Sequence, residues 1–501
     1  MLPGLDLGSD ILEFAVQVIS VFILVVGLVV SAMYLVQIVL AALALRATPP
    51  IAKIGFMWDT LSDISVPVSI IVPAYNEAVT IRESIRSILS LEYPDFDVIV
   101  VNDGSTDTTL EKLAEEFGLR PVVRAFDPVV DHAPIRAVYA SPDYPRLLVI
   151  DKLNGGRADA LNAGLNLCRN PLFCAIDADS ILEPEALFRV VQPFITNPEQ
   201  TLAAGGSIRV ANGCKVEDGR ITEIGLSRRP LELFQTLEYA RAFMIGRLAW
   251  ARVDTLVSVS GAFGIFRRDV AVEVGGYEVG SMGEDLEIIV AIHERMREQD
   301  RPYKIDFIPE PVCWTQVPDT LKVLYGQRVR WQRGAIEVMH RHRKMMLNPA
   351  YGRIGVVGMG QLLISDLLGP IAELMGFILL PTFAVLGLVN WPFFYAFLAL
   401  SVAFGLFFSV SALFLEENEL RRYEKPRDIG ILILMSIVES LGYRQLMSVF
   451  RVVGTLKSLF RVKAVWGTVP RKEFEGAGKP QSKTGVFPPS YPVPERQPEK
   501  I

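Results

Sequence analysis

Two long stretches of the chain contain no charged side chain. No Asp, Glu, Lys or Arg occurs in residues 14–45 or 374–415, which are windows of 32 and 42 residues. A helix needs about 20 apolar residues to cross the hydrocarbon layer of a membrane. The first window therefore predicts one span. The second is interrupted at residues 390–392, which contain Asn and Pro, and predicts two spans near 371–389 and 392–415.

Two further apolar stretches contain charged residues. Residues 354–369 include Asp366, and residues 429–450 include Glu439 and Arg444. Charged side chains at membrane depth are costly, so each stretch is interpreted either as a span or as a helix lying in the membrane interface. The last segment, 476–501, contains six prolines and predicts a disordered tail.

The middle of the chain has a different pattern. Between about residues 66 and 345, short apolar runs rich in β-branched residues alternate with amphipathic helical stretches, which predicts an α/β fold with a mostly parallel sheet and helices on both faces. The candidate strands are Val68–Val72, Val98–Val101, Leu147–Ile150 and Phe173–Ile176. The predicted organisation is an N-terminal transmembrane helix (1–50), a cytoplasmic domain (51–345), transmembrane and interfacial helices (346–475) and the tail (476–501).

The distribution of charge predicts the orientation and the class of protein. No Lys or Arg precedes the first span, whereas Arg46 and Lys53 follow it, and positive residues mark the cytoplasmic side. We therefore expect an inner-membrane protein with its N-terminus outside and its middle domain in the cytoplasm. Half of the 501 residues are hydrophobic and only four are Cys, which excludes a disordered chain and a disulfide scaffold.

Each candidate strand leads directly into a polar cluster. The clusters are Pro73-Ala74-Tyr75-Asn76-Glu77, Asn102-Asp103-Gly104-Ser105, Asp151-Lys152-Leu153-Asn154-Gly155-Gly156-Arg157 and Asp177-Ala178-Asp179. In α/β sheets, ligands bind beyond the carboxyl ends of parallel strands. The four clusters therefore predict one binding site.

Several side chains in these clusters suit a nucleotide diphosphate. Asp177 and Asp179 can share a hard divalent cation with a diphosphate, or one of them caps the following helix. Asp103 either accepts a hydrogen bond from the imide N–H of a uracil or forms an Asx turn or helix cap. Lys152 and Arg157 are candidate donors to phosphate oxygens.

Two later motifs are each open to two interpretations. Asp285, in Gly283-Glu284-Asp285, is a candidate general base or a complement to a helix dipole. Gln327, Arg330 and Trp331 fall on one face of a predicted helix, which either meets membrane lipid or binds a diphosphate and a sugar ring.

Taken in order along the chain, these motifs resemble the membrane-integrated family 2 glycosyltransferases, which include the synthases of cellulose, chitin, hyaluronan and poly-N-acetylglucosamine. The resemblance covers roughly residues 66–345 and rests on five motifs in sequence. It implies a GT-A fold and inverting transfer of a sugar from a UDP-sugar donor. The sequence departs from the family pattern in two places, and both concern the identity of the sugar and of the acceptor. Gly283 stands where Thr is familiar, and residues 126–146 look longer than the family core.

The resemblance also implies roles for individual residues. Asp103 would contact uracil, Asp177 the nucleotide, Asp179 a Mg²⁺ or Mn²⁺ cofactor, and Asp285 would act as the base. The residues expected to bind substrate are Pro73, Tyr75, Glu77, Asp103, Lys152, Arg157, Asp177, Gly261, Phe263, Gln327, Arg330 and Trp331.

Three functional hypotheses follow. The first is a processive synthase of a β-linked polysaccharide, the second a transferase that adds one or a few sugars to a lipid acceptor, and the third a catalytically silent membrane scaffold or receptor. The expected partners are the UDP-sugar, a polysaccharide or lipid acceptor, membrane lipids and an accessory export subunit; nucleic acid is not among them.

Overall fold

The computed structural model describes residues 7–47, 65–126, 128–385, 387, 389, 391–420 and 425–462. The predicted tail, 476–501, lies outside the described residues. The strands are β1 (Val68–Ala74), β2 (Phe96–Asn102), β3 (Arg120–Val122), β4 (Ile135–Ala140), β5 (Leu147–Lys152), β6 (Leu172–Ile176), β7 (Ile181–Leu182), β8 (Thr201–Val210), β9 (Lys215–Glu217), β10 (Arg220–Glu223), β11 (Phe263–Arg267) and β12 (Lys304–Thr315).

The helices occur between the strands and at both ends of the chain. They are α1 (Leu7–Ala47), α2 (Ile81–Leu89), α3 (Thr109–Phe117), α4 (Arg157–Leu167), α5 (Ala186–Thr196), α6 (Pro230–Ala240), α7 (Leu248–Arg252), α8 (Arg268–Glu273), α9 (Glu284–Glu298), α10 (Leu321–Arg341), α11 (Met359–Gln361), α12 (Gly369–Val385), α13 (Trp391–Leu420), α14 (Pro426–Glu439) and α15 (Tyr443–Leu459). Residues Arg241–Arg247, Ile354–Gly358 and Leu362–Leu368 are π-helical, and Arg343–Met345 and Pro349–Tyr351 are 3₁₀ turns.

Ten of the strands form one sheet, in the order β3-β4-β5-β2-β1-β6-β11-β8-β12-β7. The predicted α/β class and the four predicted strands are confirmed. The sheet is mixed rather than mostly parallel: β5, β2, β1 and β6 run parallel in its centre, as do β8 and β12, and the other neighbours are antiparallel. The long segment 126–146 contains β4, which extends the sheet at one end by pairing with β5.

Burial explains why the central strands were recognisable in the sequence. Val68, Ile70, Ile71 and Val72 of β1 are all fully buried. A strand covered on both faces is a continuous apolar run rather than an alternating one. The four parallel strands have this composition, and their common direction places their carboxyl ends at one edge of the sheet.

In the described part of the chain, three helical stretches are long and apolar enough to cross a membrane: Val16–Ala47, Ile354–Val385 and Phe394–Glu417. A fourth crossing, or a re-entrant loop, would be formed by α14 and α15, which are bent by 57° relative to one another. The second stretch begins well before the predicted boundary at residue 371. It includes Asp366, whose Oδ1 lies 3.3 Å from Arg451 Nη1 of α15, so a counter-charge accompanies this acidic residue.

Helices α9 and α10 approach each other through two glycines. A Cβ atom placed on Gly334 of α10 would lie 2.8 Å from the backbone nitrogen of Gly283, and one placed on Gly283 would lie 3.1 Å from Gly334 Cα. Gly283 is the N-cap of α9. The absence of Thr at position 283 therefore has a packing reason, because any side chain there would meet the backbone of α10.

A buried histidine after α10 makes a second contact between the same two helices. His342 follows α10, and its Nδ1 lies 2.7 Å from Glu294 Oε2 and its Nε2 3.4 Å from Glu287 Oε1, both on α9. Lys344 also pairs with Glu294. Burial by itself lowers the pKa of the His342 imidazole, but Glu287 and Glu294 outweigh burial and raise it above its ordinary value.

We predict that Gly334→Ala destabilises the protein, because the new methyl group meets backbone atoms that have no rotamer with which to move away. Overpacking of this kind typically costs about 1–3 kcal/mol of unfolding free energy. Gly326→Ala on the same helix is the matched control, since its Cβ meets no atom within 4 Å, and it should be neutral or stabilising by up to about 1 kcal/mol. Equal melting temperatures for the two variants would contradict this packing.

We predict that His342 stabilises the protein mainly when protonated. Since its folded-state pKa is raised, the stabilisation is complete below the ordinary histidine pKa of about 6.5 and is lost as the pH rises through the folded-state value. The loss of melting temperature in His342→Gln should therefore be largest near pH 6 and shrink towards pH 9. His340→Gln, at an exposed position, should follow the wild type at every pH.

Candidate active site

The carboxyl ends of the central strands open into one large cavity of about 3650 Å³. Strands β1, β2, β5 and β6 are in parallel register, with Ala74 beside Asn102 and Asn102 beside Asp151. The cavity continues between the apolar helices α1, α12 and α13. It is several times larger than the roughly 300–1,000 Å³ of a typical small-molecule pocket, so it has room for more than one ligand.

Most of the predicted site residues line this cavity. They are Pro73, Tyr75, Glu77, Asp103, Arg157, Asp177, Asp179, Gly261, Asp285, Gln327, Arg330 and Trp331. Two predicted residues, Lys152 and Phe263, do not line it. The structure thus brings together motifs that are separated by more than 250 residues in the sequence.

Asp103 is held in place by donors from the loop after β5. It is 2% exposed, and its carboxylate accepts hydrogen bonds from Lys152 Nζ (2.6 Å), Gly155 N (3.0 Å) and Gly156 N (2.8 Å). It does not cap α3, whose N-cap is Thr108. A carboxylate offers about four acceptor sites, so Asp103 retains capacity for one further donor from a ligand.

The prediction that Lys152 contacts a phosphate is wrong. Its side chain is fully buried, and its three N–H donors are directed to Asp103, to Asp159 on α4 and to the carbonyl oxygen of Leu153. An ammonium group has only three donors. Lys152 therefore positions Asp103 and reaches no ligand.

Arg157, at the start of α4, connects the strand end that bears Asp177 with the helix that bears Asp285. Its Nε lies 2.9 Å from Asp177 Oδ1, its Nη1 2.6 Å from Glu284 Oε1, and its Nη2 2.5 Å from the carbonyl oxygen of Gly261. Burial alone would lower the pKa of the guanidinium, but Asp177 and Glu284 raise it well above its ordinary value. Arg157 is therefore a permanent cation in the cavity wall.

Asp285 lies in the first turn of α9, half-buried and facing the cavity. Its Oδ2 accepts a hydrogen bond from Gly261 N (3.1 Å), and its Oδ1 from Leu286 N (2.9 Å). Burial and then the neighbouring Glu284 raise the pKa of Asp285, while Arg157 and Arg247 oppose the rise. A carboxylate whose pKa is raised is a better proton acceptor than an ordinary Asp.

The Asp177-Ala178-Asp179 motif suits a divalent cation that a ligand helps to hold. Neither carboxylate caps the next helix, because the N-cap of α5 is Glu185. No cluster of three or more His, Cys, Asp or Glu side chains in the described ranges is arranged to hold a metal alone. Mg²⁺ is commonly bound by one or two carboxylates together with substrate phosphates and water. The oxygen donors of this motif fit that arrangement.

Gln327, Arg330 and Trp331 of α10 face the cavity from the side of the membrane helices. Trp331 is 42% exposed, and the Arg328 guanidinium lies 4.5 Å from its ring centre. Arg328 in turn pairs with Glu238 of α6 at 2.8 Å. The indole face is thus held in a fixed orientation while much of it remains available for contact.

The predicted role of Phe263 in binding is wrong. Phe263 opens β11 opposite Ile176 in the centre of the sheet, and its side chain is fully buried in the core. Its neighbour Gly261 does line the cavity. The sequence motifs did not identify Glu284 as the partner of Arg157, Asp159 as the partner of Lys152, or Arg247 and Trp250 in the cavity wall. Their positions depend on tertiary contacts that no local motif signals.

Comparison with known proteins gives a family for the same part of the chain. The family described as "Glycosyltransferase like family 2" matches residues 66–334. A poly-β-1,6-N-acetyl-D-glucosamine synthase of Staphylococcus epidermidis is 27% identical over 274 residues, which are 55% of this chain and 56% of the relative. A synthase of the same name from Staphylococcus aureus (strain COL) is 26% identical over 294 residues, 58% of this chain and 60% of the relative. The chain thus spans little more than half the length of the curated relatives it matches.

Two solved structures are also similar. The mannosyltransferase PcManGT from Pyrobaculum calidifontis, in complex with GDP-Man and Mn²⁺, is 19% identical with a TM-score of 0.47 and covers 86% of this chain and 99% of its own. S. aureus TarS 1-349, in complex with UDP-GlcNAc, is 14% identical with a TM-score of 0.35 and covers 76% of this chain and 92% of its own.

Proposed function

This chain belongs to glycosyltransferase family 2, and we propose that it is a membrane-bound inverting transferase that adds sugar from a UDP-sugar to a growing β-linked polysaccharide. The observation that carries the proposal is the cavity shared by Asp285, the Asp177-Ala178-Asp179 motif and Trp331, which continues between apolar helices. The names of the relatives favour UDP-N-acetylglucosamine as the donor and poly-N-acetylglucosamine as the product.

In this proposal the donor lies over the carboxyl ends of the parallel strands. Asp103 accepts a hydrogen bond from the uracil imide, using the acceptor capacity that Lys152, Gly155 and Gly156 leave available. Asp177 and Asp179 face the diphosphate. They would hold the Mg²⁺ or Mn²⁺, whose contribution when bound is to neutralise negative charge on the UDP leaving group.

Asp285 acts as the general base. The acceptor hydroxyl attacks the anomeric carbon from the side opposite UDP, the bond to the diphosphate oxygen breaks, and the proton moves to the Asp285 carboxylate. One displacement inverts the anomeric centre and converts an α-linked donor into a β-linked product. The fixed hydrogen bonds from Gly261 N and Leu286 N hold this carboxylate in place, and such positioning supports proton transfer in the transition state.

Helix α10 would hold the acceptor end of the reaction. Trp331 presents an exposed indole face on which a sugar ring can stack, and Gln327 and Arg330 line the same wall. The three apolar helical stretches would anchor the enzyme in the inner membrane with the catalytic domain in the cytoplasm and the N-terminus outside. Export of the polymer, alone or with an accessory subunit, is part of the same proposal.

A UDP-release assay with product sizing tests the function. Purified full-length protein in lipid nanodiscs is given UDP-glucose, UDP-N-acetylglucosamine or UDP-glucuronate. We expect turnover with UDP-N-acetylglucosamine and a polymeric product. A product limited to a singly glycosylated lipid would identify a non-processive transferase instead, and no turnover with any nucleotide sugar would favour a silent scaffold.

Asp285→Asn should abolish transfer, by at least the 10²–10⁴-fold typical of general-base catalysis, while UDP binding measured by calorimetry persists. The substitution keeps the shape of the side chain but removes the proton acceptor. Asp143→Asn, exposed and outside the cavity, is the matched control and should remain active. Sustained turnover by Asp285→Asn would show that another group takes the proton.

Asp179→Ala should remove the effect of Mg²⁺ on donor binding. We expect the wild type to bind UDP-N-acetylglucosamine more tightly with Mg²⁺ than with EDTA, and the variant to bind equally in both, because a cation ligand is lost. Asp143→Ala serves as the control. If Asp179→Ala kept the full Mg²⁺ dependence, its assignment as a cation ligand would fail.

A further inference from the structure

Two side chains in the cavity wall have no role in the mechanism described above. Arg247 ends the π-helical segment Arg241–Arg247, and Trp250 follows three residues later in α7. Residues three apart on a helix face the same side, and both side chains line the cavity. π-Helical turns are rare and occur frequently at functional sites.

Both side chains contain a buried donor without an acceptor. Arg247 Nε and Trp250 Nε1 are buried, and neither has a hydrogen-bond partner among the residues that the structure describes. Gln327 Oε1, a buried acceptor in the same cavity, is likewise unpaired within the described ranges. Nearly all buried polar groups in native proteins are paired with protein or ordered water. These unpaired donors and this unpaired acceptor around one cavity can be satisfied by a ligand that offers both acceptors and donors, or by ordered water.

Arg247 lines the same cavity as the proposed base, Asp285. Its guanidinium lies 4.2 Å from the ring centre of Phe243, and in the described part of the chain it forms no ion pair or hydrogen bond with a carboxylate. Burial lowers its pKa, and the charge of Asp285 opposes that effect. Arg247 and Asp285 thus line the same cavity, whereas Arg157 is the cation bonded to Asp177.

The chemistry of the pair suits a neutral sugar better than a diphosphate. An indole N–H is an uncharged single donor, which suits the hydroxyl or acetamido oxygen of a sugar. A guanidinium fork matches the closely spaced oxygens of hydroxyl and acetamido groups. An arginine alone also binds phosphate; it is the uncharged donor of Trp250 on the same helix face that favours a sugar oxygen.

We propose that Arg247 and Trp250 form a binding subsite for the acceptor sugar in the cavity that also contains Asp285, in which they donate hydrogen bonds to hydroxyl or acetamido oxygens of the terminal pyranose. The subsite is formed by the helical segment 241–252, which is a different element from α10 with its Trp331. The inference rests on the proposed function for the identity of its ligand. It adds to that function a second set of contacts to the acceptor.

The test uses the full-length protein in nanodiscs and measures binding directly. The probe is a β-1,6-linked N-acetylglucosamine disaccharide, titrated by calorimetry in the presence of UDP. Arg247→Lys keeps the positive charge but loses the guanidinium fork, and Trp250→Phe keeps an aromatic ring but loses the N–H. Each should weaken disaccharide binding by about 5–10-fold, the range expected for one lost hydrogen bond, while the Kd of UDP-N-acetylglucosamine changes less than twofold.

Two matched controls lie outside the cavity. Arg252→Lys changes an exposed arginine at the end of α7, and Trp391→Phe changes an exposed tryptophan at the start of α13. Both should bind the disaccharide like the wild type. Melting temperatures verify folding, and if Trp250→Phe fails to fold, Arg247→Lys decides the question.

The outcomes separate this inference from the proposed function. Unchanged disaccharide binding in both folded variants overturns the subsite, and so does an equal weakening of UDP-N-acetylglucosamine, which would place Arg247 at the donor. If the protein binds the disaccharide through Arg247 but transfers no sugar to it, the subsite is supported and the proposed reaction is refuted. Loss of transfer with intact disaccharide binding in Arg247→Lys would also overturn the subsite.

Discussion

The active-site cavity depends on one partly buried cation. Arg157 bonds Asp177 at the end of β6, Glu284 in the first turn of α9 and the carbonyl oxygen of Gly261. Without it, Asp177 and Glu284 would lose their shared bonded counter-charge, and removing one partner of a buried ion pair is strongly unfavourable. The guanidinium therefore fixes the distance between the region assigned to the donor and the region assigned to the base. Three segments far apart in sequence meet at this one side chain.

The strand pairing in the mixed sheet places Asp177 and Gly261 where both can bond Arg157. Parallel pairing of β5, β2, β1 and β6 aligns four loops at one edge, and antiparallel pairing of β11 with β6 turns the chain so that Gly261 returns to the same edge. Because β11 begins opposite Ile176, where β6 ends, Gly261 lies at the carboxyl ends of the parallel strands, where it bonds both Arg157 and Asp285.

The sequence allowed prediction of the features that short segments encode. The buried strands are continuous apolar runs, and the polar residues after them identify the cavity edge. Lys152 was misassigned because residue type alone does not show where an ammonium points, and its partner Asp159 lies on the next helix. Phe263 was misassigned because its burial depends on pairing with β6. The need for glycine at position 283 could not be predicted, because it depends on contact with Gly334 in the tertiary packing of α9 and α10.

That pair of glycines has a mechanical consequence. Ordinary helix contacts are separated by side chains, which can change rotamer and so absorb small displacements. Helices α9 and α10 touch through backbone atoms at this point, where no rotamer is available. Asp285 lies two residues after Gly283, and Trp331 three residues before Gly334. Because no change of rotamer can relax this contact, it limits how far the Asp285 carboxylate and the Trp331 indole can shift relative to one another.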